Sequence, residues 1–193
     1  TQMIVKGHDF PNVTLVGILA ADLSLYADDY KAGERTFQLL TQAAGRAGRG
    51  DRPGEVVIQT YDPEHYAIEA SAAQDYEAFY EKEIRYRSLM GYPPVENLMA
   101  VLAACEDEAL LEKACKYLKE YILRIRGQAQ LDVIGPASPG VDKIKDIYRR
   151  VIYVKAPEYR TLVVLKDRME QYIEINSGFQ KMRIQFDFNP MNL

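Results

Sequence analysis

Two arginines, Arg46 and Arg49, stand three residues apart in the stretch Gln42-Ala43-Ala44-Gly45-Arg46-Ala47-Gly48-Arg49-Gly50. A guanidinium fork donates paired hydrogen bonds to phosphate oxygens and stays charged at any physiological pH. Gly45 and Gly48 let backbone or ligand come close without a Cβ in the way. Together these residues suit phosphate handling, with Gln42 one helical turn earlier. They also fit a helix C-terminus, where basic side chains meet the last carbonyls and a glycine caps the end. A second group is Lys143, Lys145, Arg149 and Arg150 around Tyr148, just after Gly135-Pro136 and Pro139-Gly140. Such cations neutralise phosphates while a tyrosine face stacks on a base. The plainer reading is a solvated loop that keeps an edge strand soluble, since Asp142 and Asp146 interrupt the charge. A third group opens the chain, where Gly7 precedes His8-Asp9 on the way into an apolar run. A polar loop beside parallel strands can form the edge of a ligand site. Equally, Gly7 is a turn residue, Asp9 a local cap and His8 a satisfied turn histidine.

The elements that must position these groups are legible from periodicity. Residues 12–21 form a near-continuous apolar run ended by Asp22, and residues 55–60 form a second, β-branched run after Pro53-Gly54. Both read as buried parallel strands. Between them Phe37, Leu40 and Ala44 fall on one helical stripe over 34–47, long enough for a crossover. Asp62-Pro63-Glu64 starts a helical region over 64–90, as one long helix or two broken near Gln74-Asp75. Glu83 and Arg87 are spaced as a favourable pair on it. Gly91-Tyr92-Pro93-Pro94 ends it.

Beyond that stop the pattern predicts a strand (98–105), a helix (107–126), strands at 131–136 and 147–156, a helix (158–177) and a strand (182–188). Leu110, Leu111, Ala114, Leu118, Ile122 and Ile125 make the inner stripe of the first helix. The order βαββαβ is that of the split-βαβ, ferredoxin-like arrangement, which serves many unrelated functions. The expected fold class is therefore α/β followed by α+β.

Bulk composition sets limits. The chain has 193 residues, 48% hydrophobic and 27% charged, as in a soluble globular protein. A net charge of −4 argues against coating nucleic acid non-specifically, so any such contact must be a local patch. Only Cys105 and Cys115 are present, with no C-x-x-C, which disfavours zinc or disulfide scaffolds and suits a reducing cytosol. No apolar run reaches the ~18 residues of a membrane span, and no signal pattern opens the chain. Starting at Thr1 inside a patterned segment, the sequence is expected to be part of something longer.

Taken in order, the opening loop, strand, crossover helix and arginine turn resemble a known family. Thr1 to Asn12 resembles motif V and Gln42 to Arg49 resembles motif VI (Q-x-x-G-R-x-G-R) of superfamily-2 DNA helicases. The wording TQMIVKGHDFPNVTLVGIL, ERTFQLLTQAAGRAGRG, PGEVVIQTYDPEHYAI and DYEAFYEKEIRYRSLMGYPP is similar to the primosomal, replication-restart members of that superfamily. The likeness is close over residues 1–94 and one of pattern beyond.

The resemblance implies a partial RecA-like second lobe over 1–61, a helical connector over 62–94 and a ferredoxin-like domain over 95–193. It implies that Arg46 and Arg49 reach the γ-phosphate of ATP, that Gln42 couples nucleotide state to lobe closure, and that Gly45 and Gly48 shape the turn. Gly7 and Asp9 would meet the nucleotide edge and Thr1 a DNA phosphate. It further implies ATP and Mg held mainly by another lobe, zinc in the longer protein but not in this chain, and a cytoplasmic, nucleoid-associated place. Partners would be branched or single-stranded DNA, single-stranded-DNA-binding protein and other primosome proteins.

The family's basic loop has Gly and Arg where this chain has Asp146 and Ile147. The sequence contains no G-x-x-x-x-G-K-[ST] and no acidic magnesium box, so the chain alone is expected not to hydrolyse ATP. Two other readings stay open: a non-enzymatic module binding fork DNA or the tail of single-stranded-DNA-binding protein, and part of a RecG-like superfamily-2 helicase.

Overall fold

A computed structural model describes residues 12–27, 29–48 and 53–191. They divide into two compact units, one through Tyr86 and one from Arg87.

The first unit is built on β1 (Leu15–Ile18) and β2 (Glu55–Ile58), paired in parallel with Leu15 opposite Glu55 and Ile18 opposite Ile58. Helix α1 (Asp22–Leu25) and helix α2 (Ala32–Ala44) lie between them in the chain. The expectation of long strands buried on both faces is corrected. Each strand is only four residues and alternates half-buried with exposed, Leu15 being 60% and Val57 52% exposed. Among the described residues two paired strands offer one covered face, so alternation replaces full burial.

The apolar stripe of α2 buries Phe37 and Leu40, packed with Leu25, Ile68 and Phe79, and Ala43 is buried as well. Phe37 and Phe79 stack with ring centroids 4.3 Å apart. Asp22 is buried but satisfied, accepting from Thr60 Oγ1 at 2.6 Å and from Tyr61 N–H at 3.0 Å. The Thr60 hydroxyl, first among its donors, holds the Asp22 carboxyl below its usual value.

The helical region divides into α3 (Tyr66–Ala73) and α4 (Tyr76–Met90). The break comes where Gln74 takes a left-handed conformation, φ 57°, and Asp75 Oδ1 accepts from Ala78 N–H to start α4. At the start of α3 the His65 Nδ1 accepts from Ala67 N–H, so the imidazole serves as the cap.

The second unit is a mixed α/β layer with an antiparallel sheet. Its elements are β3 (Asn97–Cys105), α5 (Glu108–Ile125), β4 (Asp132–Ala137), β5 (Lys143–Ile144), β6 (Ile147–Ala156), α6 (Tyr159–Ile175), a 3₁₀ turn (Ser177–Phe179) and β7 (Arg183–Phe188). The strand order is β4-β6-β3-β7, with β5 pairing β6. Short β5, α1 and the 3₁₀ turn are absent from the sequence reading.

Alternation on β3 and β6 sends Met99, Val101, Ala103, Ile152 and Val154 into one core with Leu111, Leu118, Ile122, Leu162 and Met169 of the helices. Burying each of these side chains except the small Ala103 contributes about 2 kcal/mol. Asp107 caps α5 by accepting from Leu110 N–H at 2.9 Å. Cys105 and Cys115 are both buried free thiols, and burial pushes Cys115 up to about 11. Among the described residues no helix is long and apolar enough to cross a membrane.

Candidate functional site

Gln42 is an exposed residue in the last turn of α2. The helix then tightens rather than ending on a left-handed glycine. Gly45 has φ −64°, and the N–H groups of Arg46 and Ala47 donate to Ala43 and Ala44 carbonyls, both at 3.1 Å. The left-handed residue is Gly48, φ +71°, so the glycine cap expected at the helix end falls three residues later. That shift puts Arg46 inside the turn, half-buried, with its Nε shielded from solvent.

The turn is fixed at its far side. Gly48 N–H donates to Val13 C=O at 2.9 Å, and Glu55 N–H donates to Thr14 C=O at 2.7 Å. Gly54 lies against the same backbone: a Cβ there would sit 2.2 Å from Gly48 N and 2.5 Å from Ala47 C. The arginine turn is thus clamped to the strand starts by a glycine-on-glycine contact. It lies at the amino ends of β1 and β2, whereas open α/β sheets usually hold their own ligand at the carboxyl ends. Arg49, Thr1, Gly7, His8 and Asp9 lie outside the described residues.

The second candidate group is a hairpin. Lys143 pairs with Tyr148 and Ile144 with Ile147, leaving Lys145 and Asp146 as a two-residue loop. Both have positive φ, 48° and 63°, the type I′ arrangement that Asn-Gly fits best. The double variant Lys145→Asn with Asp146→Gly is expected to stabilise this unit by about 1 kcal/mol. It would be read as a higher denaturant midpoint at unchanged slope.

The basic residues of the hairpin do not act as one patch. Lys143 stands on Tyr148, its Nζ 4.6 Å from the ring centroid, and pairs with Asp146 at 3.0 Å. The Asp146 carboxylate, then the Tyr148 hydroxyl, hold the Lys143 ammonium above its ordinary value. Tyr148 packs on the core beneath the helices.

Arg150, on the same face, is a strut between β6 and α5. Its Nε donates to Glu112 at 2.5 Å, Nη2 to Glu108 at 2.9 Å, and Nη1 to the Arg149 carbonyl at 2.9 Å, leaving the side chain 11% exposed. A phosphate contact by Arg150 would require surrendering these pairs. Arg149 alternates to the opposite face and donates to Val141 C=O at 3.3 Å.

There Arg149 lines a groove of about 720 Å3, at the end of β3, together with Lys145, Lys181, Arg183 and Gln185. Lys181 and Arg183 were missed by sequence reasoning. The signal was present: alternation in Arg183-Ile184-Gln185-Phe186 puts the polar residues on one face. At the other end of β6, Lys155 is buried, donates to Met90 C=O at 2.7 Å and sits 4.0 Å from the Tyr92 ring centroid. Burial lowers its pKa against the pull of Glu96 and Asp132. Among the described residues no three His, Cys, Asp or Glu side chains gather to hold a metal.

Residues 88–191 match the model of a family described as the primosomal protein N C-terminal domain. The chain is similar to the replication restart protein PriA of Bacillus subtilis strain 168, 39% identical over 190 residues, which is 98% of this chain and 24% of that protein. Against the replication restart protein PriA of Synechocystis it is 36% identical over 193 residues, 100% of this chain and 22% of the other. Against that of Haemophilus influenzae it is 34% identical over 194 residues, 100% and 26%. The chain spans about a quarter of the length of the curated relatives it matches. With the matched region covering more than half of its residues, the chain belongs to the primosomal protein N C-terminal domain family.

Proposed function

We propose that this chain is the carboxyl-terminal part of an ATP-dependent 3′-to-5′ DNA helicase that recognises stalled or branched forks and restarts replication by primosome assembly. The relatives named as replication restart proteins support the restart role. The observation that carries the helicase reading is the Arg46 turn, held to the starts of two parallel strands by Gly48 N–H on Val13 C=O and by the Gly48–Gly54 contact.

An arginine at the amino ends of the strands cannot serve a nucleotide in the usual carboxyl-end crevice of its own sheet. It suits an arginine finger, reaching the γ-phosphate of ATP held with Mg by another lobe and stabilising the charge of the transferred group. In this reading residues 1–61 belong to a RecA-like second lobe, 62–94 connect, and 95–193 are a ferredoxin-like domain. Arg49 assists Arg46, Gln42 couples nucleotide state to lobe closure, Gly7 and Asp9 meet the nucleotide edge, and Thr1 meets DNA. The basic hairpin Lys143 to Arg150 belongs to the surface that approaches branched DNA. Single-stranded-DNA-binding protein and other primosome proteins are the remaining partners, zinc belongs to the longer protein, and the setting is the cytoplasm.

The test compares ATP hydrolysis, with and without forked DNA, by the 193-residue chain and by a protein of the relatives' full length. The expected result is DNA-stimulated turnover in the long protein and none in the chain. Turnover by the chain alone, or a long protein indifferent to DNA, would overturn the reading.

A further inference from the structure

The groove at the end of β3 gathers four cationic side chains, Lys145, Arg149, Lys181 and Arg183. Register places Ala104 directly between Arg149 on β6 and Arg183 on β7. Two strand spacings separate the arginine backbones by roughly 10 Å, and the alanine between them leaves the floor low. Lys145 at the hairpin tip and Lys181 just before β7 extend the cationic rim, and Gln185 adds an amide. Cys105 Sγ donates to Lys181 C=O at 3.6 Å, which ties that turn to the end of β3.

Among the described residues Lys145, Lys181 and Arg183 form no ion pair, so their charge is available. The acids in the groove are Glu106 and Asp107, the latter engaged as the cap of α5. Four cations against two carboxylates leave a local surplus of positive charge in a chain whose net charge is −4. That surplus selects a polyanion.

The lining contains no aromatic ring, and Tyr148, the tyrosine that could have stacked on a base, packs against the core on the other face of the sheet. Surfaces that hold single strands combine basic grooves with stacking aromatics. Surfaces that hold a duplex by its backbone need only Arg, Lys and amide groups on phosphates.

We propose that the Arg149–Ala104–Arg183 groove binds the sugar–phosphate backbone of duplex DNA, without reading bases. The inference rests on the reading of this unit as nucleic-acid-binding and moves the contact from the Lys143–Tyr148 face to the opposite one. Lys181 and Arg183 become contact residues alongside Arg149 and Lys145.

The test is fluorescence anisotropy of the 193-residue chain with a blunt duplex and with a single strand of equal length, over a salt series. The duplex is expected to bind more tightly than the single strand. The double variant Arg149→Ala with Arg183→Ala should weaken duplex binding by about tenfold or more and flatten the log–log salt slope by about 2, one phosphate contact per arginine. Lys181→Ala should flatten the slope by about 1. Lys116→Ala, an exposed cation on α5, should change neither. Circular dichroism melts establish that the variants fold.

Wild-type affinity and slope in the double variant would overturn the groove assignment while leaving the nucleic-acid reading intact. So would tighter binding of the single strand, or displacement of duplex by an acidic peptide at lower concentration than by competing duplex. Binding of neither duplex nor single strand by the unsubstituted chain would overturn the underlying reading as well.

Discussion

Arg46→Ala, introduced into a protein of the relatives' full length, is expected to lower DNA-stimulated ATP turnover by about 10³-fold. A loss of that size corresponds to about 4 kcal/mol of transition-state stabilisation. It arises because a guanidinium aimed at the transferred phosphoryl group acts on charge that spreads over its oxygens only as the bond breaks. The effect should therefore fall on kcat, with KM for ATP changed little. Arg46→Lys should recover only a small part, since an ammonium lacks the planar fork that meets two phosphate oxygens at once.

The turn that carries Arg46 includes main-chain hydrogen bonds to Ala43 C=O and Ala44 C=O within the helix end and to Val13 C=O beside it. Truncating the side chain leaves those in place, and the thermal unfolding of the variant checks it. Turnover indistinguishable from the unsubstituted protein would remove the arginine-finger role.

Gly54→Ala is expected to disturb the same turn from outside. The new Cβ would lie 2.2 Å from Gly48 N, 2.5 Å from Ala47 C and 2.7 Å from Ala47 Cβ. Two of these neighbours are backbone atoms, so relief requires moving the turn itself rather than rotating a side chain. Overpacking of this kind costs about 2 kcal/mol or more. In the 193-residue chain it should appear as a lower denaturant midpoint for the first unit.

Gly17→Ala provides the comparison, because a Cβ at that position meets nothing within 4 Å. There the change should be neutral or slightly stabilising, since glycine in a strand costs roughly 0.5–1 kcal/mol relative to alanine. In the full-length protein Gly54→Ala should also cut ATP turnover by about 10²-fold, the penalty of shifting a catalytic group by about an ångström. Unchanged stability together with unchanged turnover would show that the glycine contact does not position Arg46.

The sequence determined by itself whatever depends on neighbours along the chain. The α2 stripe of Phe37 and Leu40, the α5 stripe around Leu118, and the order of the longer strands and helices after Pro94, short β5 and the 3₁₀ turn aside, all follow from periodicity. The Gln42-to-Gly50 stretch reads as suited to phosphate from residue types alone, because a guanidinium's preference for phosphate is a property of the residue. The αL position of Gln74 and the exact split between α3 and α4 were left open, since either a long helix or two short ones satisfies the apolar spacing.

Tertiary structure alone decided which cations are free to act. Arg149 and Arg150 are adjacent and chemically identical, yet the strand pleat sends one to an open groove and the other onto Glu108 and Glu112. Arg183, distant in sequence, becomes the companion of Arg149 only through pairing of β6 and β7 with β3. Gly54 reads as an ordinary turn glycine until the chain folds it onto Gly48. In each case the deciding quantity is a separation between residues far apart in the chain. Sheet register and close packing fix such separations, and residue type and local spacing do not.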